Sequence, residues 1–366
     1  MTSQTKTTIL QRHSENALLN AAILSPTIRN ERDLSADELY APLDEAIIAT
    51  AVEALESGQT HYVDVPGIPP LRQALAEYLN ASAGTSLQSS NVIVTAGVQE
   101  SRFLTIQMVG EQFDRIGVPS VVHPGVKKAI GVRPKPIDWI EVDSATLLPT
   151  PDAIRSVLAS GTRLLYLESP SRLTGAAYDS AAVAAIAALA GEFEATVIWD
   201  QGLAPWASSY HSLGASAAER TLLIGEAFPG MGLSSWFIGY IAAPEALIPP
   251  MQSQKQIMAI CTSTPSQYAA LEASKHFGER AASSVQRLSA RRQQIAASAS
   301  GTVIPGDAAV VLALRFPAGE KAAALSRLNA AGYPVADGAD FGAPDVIRLT
   351  ISHSDAAEAA VRALKG

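Results

Sequence analysis

One pattern restricts the folds open to this chain more than any other: short β-branched runs alternate with helical stretches along most of its length. Val92-Ile93-Val94-Thr95 ends at Ala96-Gly97 and is followed by a helical Gln99 to Met108. Leu164-Leu165-Tyr166-Leu167, Thr196-Val197-Ile198-Trp199 (ending in Asp200) and Thr221-Leu222-Leu223-Ile224 read as further strands. Phe237-Ile238-Gly239-Tyr240-Ile241 follows close behind as another. The alanine-rich stretches Ala182 to Ala190 and Ala356 to Ala363 read as helices, alanine being the best helix former. Strands that alternate with helices in this way form a mostly parallel sheet with crossover helices, so the expected class is α/β.

A long helical segment around Ser283 to Ala297 leads to a second set of elements: Ala309 to Leu314 as a strand, Lys321 to Ala330 as a helix, Val346 to Ile351 as a strand, and Asp355 to Leu364 as a helix. A chain of 366 residues has room for one large and one smaller domain. The expected layout is an N-terminal arm and small-domain segment (1–44), a large domain (45–280) and a small C-terminal α/β domain (281–366). Ligands of open α/β sheets sit beyond the carboxyl ends of the strands, which places Gly97, Ser169, Asp200 and Gly225 along one cleft.

Composition removes several classes of function. The 35 acidic side chains outnumber the 27 basic ones, giving a net charge of −8, and no dense Lys/Arg run exists to neutralise phosphates, so nucleic acid is not an expected partner. The single cysteine, Cys261, supports neither a disulfide framework nor a cysteine-based metal site, and no His- or carboxylate-rich metal spacing occurs. No apolar run approaches membrane-spanning length, and Met1 to Lys6 lacks the apolar core of a signal peptide, so a cytoplasmic protein without a membrane partner is expected. Lysine is scarce: Lys6, Lys127, Lys128, Lys135, Lys255, Lys275, Lys321 and Lys365 are all there are.

Six short motifs follow one another along the chain. They are Tyr62 with Gly67, Leu71 and Arg72; Val94-Thr95-Ala96-Gly97-Val98-Gln99; Ser169-Pro170-Ser171-Arg172-Leu173-Thr174-Gly175; Asp200 after an apolar strand; Gly239-Tyr240; and Val346-Ile347-Arg348-Leu349. In this order and spacing they resemble the class I/II aminotransferases, the fold-type-I family dependent on pyridoxal phosphate, over almost the whole chain. The resemblance implies an aminotransferase-like fold and a homodimer whose cleft forms at the subunit interface. It also implies roles. Gly97, Val98 and Gln99 would cradle the cofactor phosphate at a helix start. Asp200 would pair with the pyridine nitrogen, Arg348 would hold the substrate carboxylate, and Tyr62 would offer a hydroxyl from the partner subunit.

The residues that carry the chemistry depart from that pattern. Counted back from Gly239-Tyr240, the Ser-x-x-Lys segment of the family falls on Gly225-Glu226-Ala227-Phe228. The Schiff-base lysine position is therefore Phe228, or Pro229 with a one-residue slip, and no lysine lies between Lys135 and Lys255. The phosphate serine becomes Gly225, the phosphate arginine Phe237, the stacking aromatic falls near Val121, the asparagine of the cleft loop becomes Arg172, and a tyrosine becomes Leu203. Without the amine, transamination lacks its nucleophile. Without the phosphate partners, the expected cofactor is none, with non-covalent pyridoxal or pyridoxamine phosphate as the alternative.

These departures lead to an expected function: an enzyme repurposed for lysine-independent chemistry on a small amino-acid- or keto-acid-like carboxylate. Arg348 and Arg172 would hold the carboxylate, and Phe228, Trp236, Phe237 and Leu203 would line the apolar part of the cleft. Tyr62, Asp200 and His211 are the acid/base candidates, taken with His61 and His123 as neighbours of the cleft segments. The alternatives are a non-catalytic regulatory subunit paired with an active homologue, and a non-covalent cofactor binder with residual activity. Each residue also has a plainer reading. Asp200 can cap a helix, Arg348 can serve an ion pair, Arg172 can lie on a surface loop, and the aromatics can fill the core.

Overall fold

The central strands of the large sheet form where the sequence leaves no polar face, and the fold follows from how those strands are covered. The computed structural model describes residues 31–365 apart from 38, 40 and 42, so the Met1 to Lys6 segment and most of the expected arm lie outside the described residues. In chain order, α1 (Glu45–Glu56) and α2 (Pro69–Ala83) precede β1 (Val92–Ala96), α3 (Gly97–Met108), β2 (Ile116–Pro119), α4 (Pro124–Gly131) and β3 (Ile137–Ile140). Then come α5 (Pro151–Ala159), β4 (Leu164–Glu168), α6 (Ser180–Glu192), β5 (Thr196–Asp200), β6 (Thr221–Glu226) and β7 (Ile238–Ala242). The chain continues through α7 (Ile248–Met258) and α8 (Thr264–Ser298) to β8 (Thr302–Ile304) and β9 (Val311–Arg315). It ends with α9 (Glu320–Ala330), β10 (Ala336–Asp337), β11 (Val346–Thr350) and α10 (Ala356–Lys365).

The large sheet has the order β1-β7-β6-β5-β4-β2-β3. Strand β7 runs antiparallel to β1 and β6, and the remaining neighbours are parallel. Strands β2 and β4 are buried along their whole length, as expected of parallel strands with helices on both faces. β2 and β3 are not among the strands expected from the sequence. Gly117 and Pro119 interrupt the first and Asp138 the second, and only their parallel partners supply the pairing.

The second sheet, β10-β11-β9-β8, is antiparallel throughout. Helix α8 joins the two layers. It starts at Thr264-Pro265, well before the expected Ser283, with proline placed where its missing N–H is harmless. Its first half puts Ala269, Ala270, Ala273 and Phe277 into the core of the large sheet, and its second half puts Leu288 and Ile295 into the core of the small one.

Register sets up the site. Glu168 of β4 lies opposite Asp200 of β5, and β6 ends at Glu226, so three apolar strands finish in carboxylates along one edge of the sheet. The helix start at Gly97, after β1, faces the same edge. Among the described residues no helix is long and apolar enough to cross a membrane, and no cluster of His, Cys, Asp or Glu could hold a metal ion.

Candidate functional site

Three strand-end carboxylates side by side, Glu168 and Asp200 buried and Glu226 nearly so, would repel each other unless cations came with them, and two arginines do. Five donors converge on Asp200. Its Oδ1 accepts from Arg172 Nη2 (2.7 Å), Arg172 Nε (3.3 Å) and the Gly202 amide (3.1 Å); its Oδ2 accepts from Arg102 Nη2 (2.8 Å) and the Tyr166 hydroxyl (2.8 Å). Arg172 also grips Glu226 with both terminal nitrogens, at 2.7 and 3.0 Å. Arg102, on the cleft side of α3, is oriented by Tyr166, whose hydroxyl accepts from Arg102 Nε at 3.1 Å. Burial alone would raise the pKa of Asp200, but Arg172 and Arg102 outweigh it and hold the carboxyl well below the usual range.

Glu168 is the carboxylate left over. The two guanidiniums of Arg102 and Arg172 are matched by Asp200 and Glu226, while among the described residues Glu168 accepts only backbone N–H groups, from His123 (2.9 Å) and Arg172 (3.2 Å). Burial, and next the charge of Asp200, push its pKa up to about 7.

A third buried arginine adjoins this network. Arg348, in the middle of β11, is 1% exposed and donates from Nη1 to the Arg172 carbonyl (3.1 Å) and to Asp37 Oδ1. Its Nη2 donates to the Ser35 and Ala36 carbonyls, both at 2.6 Å, and the Phe341 ring lies 5.8 Å from the guanidinium carbon. Its Nε–H is buried, with no acceptor among the described residues. The second oxygen of Asp37 lies 2.8 Å from His123 Nε2. His123 Nδ1 accepts the Gly125 amide (3.0 Å), which leaves the ring proton on Nε2 to donate to Asp37. Burial, and then the charge of Arg102, depress the His123 pKa, so the imidazole is neutral.

The structure thus brings together Asp200, Arg172 and Arg348 from the expected set. The surface-loop reading of Arg172 is corrected: the loop after β4 turns its guanidinium inward because two carboxylates wait there. The apolar lining is dispersed. Phe228 is 1% exposed and packs edge-on against Phe277 and Tyr78, at 5.4 and 5.9 Å, in the core and not along an open cleft. Trp236 packs beside that core, and Leu203 lies with Trp206 in the core of the small sheet. Phe237 does not begin β7. It takes a left-handed conformation (φ 51°), is 63% exposed, and lies against Gly97. Val121 is buried with Phe341 and Leu173, and Gly225 is covered by Tyr240, whose hydroxyl would sit 2.8 Å from an added β-carbon. Val98 and Gln99 stand at the start of α3, where Gln99 donates to the Gly125 carbonyl and accepts from Arg102. Tyr62 is 79% exposed and His211 is exposed, so neither reaches Asp200 within this chain.

Arg102, Tyr166, Glu168, Glu226 and Asp37 belong to the site without being among the residues expected from the sequence. For Glu168 and Glu226 the signal was available, because each ends an apolar strand as Asp200 does. Nothing local marks Arg102, which lies 98 residues from its partner.

Comparisons with known proteins agree with this architecture. The family model described as aminotransferase class I and II matches residues 30–364. The aspartate/prephenate aminotransferase of Thermus thermophilus is 29% identical over 335 residues, covering 88% of this chain and 86% of that protein. The aspartate aminotransferase of Geobacillus stearothermophilus is 24% identical, covering 86% and 85%. A solved structure of a tetra mutant of the Thermus thermophilus aspartate aminotransferase superposes with a TM-score of 0.81 at 27% identity, covering 93% of this chain and 96% of that one.

These matches correct one expectation. The cofactor was expected to be none, but the matching family is dependent on pyridoxal phosphate, so that is the cofactor the match implies. The side chains around Asp200 do not fit it in this arrangement. A β-carbon on Gly202 would lie 2.0 Å from Arg172 Nη2 and 2.1 Å from Glu226 Oε2, so the space beyond β5 and β6 is filled by that ion pair. Five donors already share the roughly four lone-pair positions of Asp200, leaving none for a pyridine nitrogen. At the start of α3 the Ala96 amide donates to the Glu100 carboxylate, an anion where a phosphate would need free N–H groups. Lys255 is buried nearby, but it is tied to Glu100 (2.9 Å) and Thr262 (3.2 Å).

Proposed function

The chain belongs to the class I and II aminotransferase family, and on that footing we propose that it recognises a small amino-acid- or keto-acid-like carboxylate through Arg348 without a covalent link from a protein lysine. The observation that carries the reading is the guanidinium of Arg348, which is buried, adjoins Arg172, and keeps an Nε–H with no acceptor among the described residues. A carboxylate placed there would gain charge-assisted, geometrically specific hydrogen bonds. Phe228, sealed among Tyr78 and Phe277, supports the lysine-independent part.

Within this reading the network divides the work. Arg172 and Arg102 keep Asp200 ionised, so Asp200 fixes charge and geometry and is no proton donor near neutral pH. Glu168, with its pKa near 7, is the group suited to hold or release a proton at the same edge. The proposed assembly is a cytoplasmic homodimer, supported by the exposure of Tyr62, a residue the resemblance assigns to a partner's cleft.

Calorimetric titration with 2-oxo acids and amino acids tests the reading. Saturable binding that weakens at least tenfold in Arg348→Ala is the expected result, and equal affinity in both proteins overturns it. A second reading, a regulatory subunit paired with an active homologue, is favoured by the complete engagement of Asp200. It gains if the chain binds carboxylates, converts none of them, and co-purifies with a family member from its native host.

A further inference from the structure

We propose that Asp37 is a tethered competitor for the Arg348 fork, an internal carboxylate that holds the place of a substrate's carboxylate until one displaces it. The inference rests on the reading of Arg348 as a carboxylate site and adds an occupant to it. Asp37 makes the contacts a small carboxylate would make: one oxygen to Arg348 Nη1, the other to the Nε2–H of a neutral His123 at 2.8 Å. The contest is for Nη1, because Arg348 Nη2 is spent on the Ser35 and Ala36 carbonyls and Nε has no acceptor among the described residues. A free carboxylate that takes its place meets the same two donors, Arg348 Nη1 and the Nε2–H of His123, so the two carboxylates compete for one pair of hydrogen bonds.

The tether is short. Leu34, three residues before Asp37, is buried and pinned on both sides: its amide donates to the Pro334 carbonyl (2.9 Å) and its carbonyl accepts from the Thr350 amide (3.0 Å). The Ala36 carbonyl also accepts from the Thr350 hydroxyl. A carboxylate held so close to its fork competes at an effective concentration on the order of millimolar or more, which lowers apparent affinity for any free carboxylate. The Asp37 side chain remains 27% exposed, so a solute can replace it by rotation of one side chain, with Leu34 left in place. Asp37 therefore sets how tightly the site takes carboxylates and disfavours weak ones.

The test is calorimetry with maleate, a rigid dicarboxylate, on the full chain and on Asp37→Ala, Asp37→Asn, Arg348→Ala and the Asp37→Ala/Arg348→Ala double variant, each checked for cooperative thermal unfolding. Expected are a maleate Kd at least tenfold tighter in Asp37→Ala than in the parent, an intermediate gain in Asp37→Asn, and loss of the gain in the double variant. Equal Kd values for the parent and Asp37→Ala, with binding lost in Arg348→Ala, would overturn the competitor and leave the Arg348 site standing. A gain that persists in the double variant, or a folded Asp37→Ala that binds no maleate, would overturn both.

Discussion

Glu168 and Asp200 lie opposite each other on adjacent strands, and yet their pKa values are shifted in opposite senses, because two guanidiniums reach one and, among the described residues, only amides reach the other. The consequence for stability has a definite sign. The Glu168 pKa is raised from an ordinary 4.5 to about 7, so between those values the native state binds more proton than the unfolded chain. Stability from this group is full below about pH 4.5 and is lost as pH rises through 7, a change of roughly 3 kcal/mol. His123, whose pKa is depressed, works in the opposite direction, so the difference between two proteins isolates Glu168. Urea unfolding of the parent and Glu168→Gln at pH 5 and pH 8 is expected to show the parent losing roughly 3 kcal/mol more than the variant. Parallel pH profiles would place the titration elsewhere.

At the scale of elements, Phe228 occupies the turn between β6 and β7 and joins α2 to α8 through Tyr78 and Phe277. It does so in a left-handed conformation (φ 51°), an unfavourable backbone for a side chain of this size that the packing must offset. Phe228→Ala keeps the strain and removes the packing, so a loss of about 3–5 kcal/mol is expected by urea unfolding; a loss under 1 kcal/mol would mean the aromatic cluster holds nothing together.

Periodicity disclosed the elements whose pattern is their own: β1, β4, β5 and β6 are continuous apolar runs, and Asp200 stood out as the carboxylate that ends one of them. It could not disclose β2 and β3, which depend on pairing, or the conformation of Phe237, which turns out toward solvent just before the strand it was expected to open. The charge network was hidden for a related reason. Arg102 meets Asp200, and Arg348 meets Asp37, across 98 and 311 positions of sequence, distances over which only the folded chain brings ion pairs together.

For the whole molecule, the fold is that of the class I and II aminotransferases, while the edge of its large sheet is organised around three buried arginines and their carboxylates. Such pairs add little net stability where they are complete, but removing one partner strands a buried charge and costs several kcal/mol. The arrangement therefore resists piecemeal change, and the proposed absence of a covalent link from a protein lysine is the part of the account that a labelling experiment reaches. Incubating the full chain with pyridoxal phosphate, reducing with borohydride and mapping the peptides by mass spectrometry tests this most directly. The account predicts no lysine labelled beyond the level found in the unfolded chain. Stoichiometric labelling of a single lysine, with Lys255 beside the start of α3 the one to watch, would contradict it.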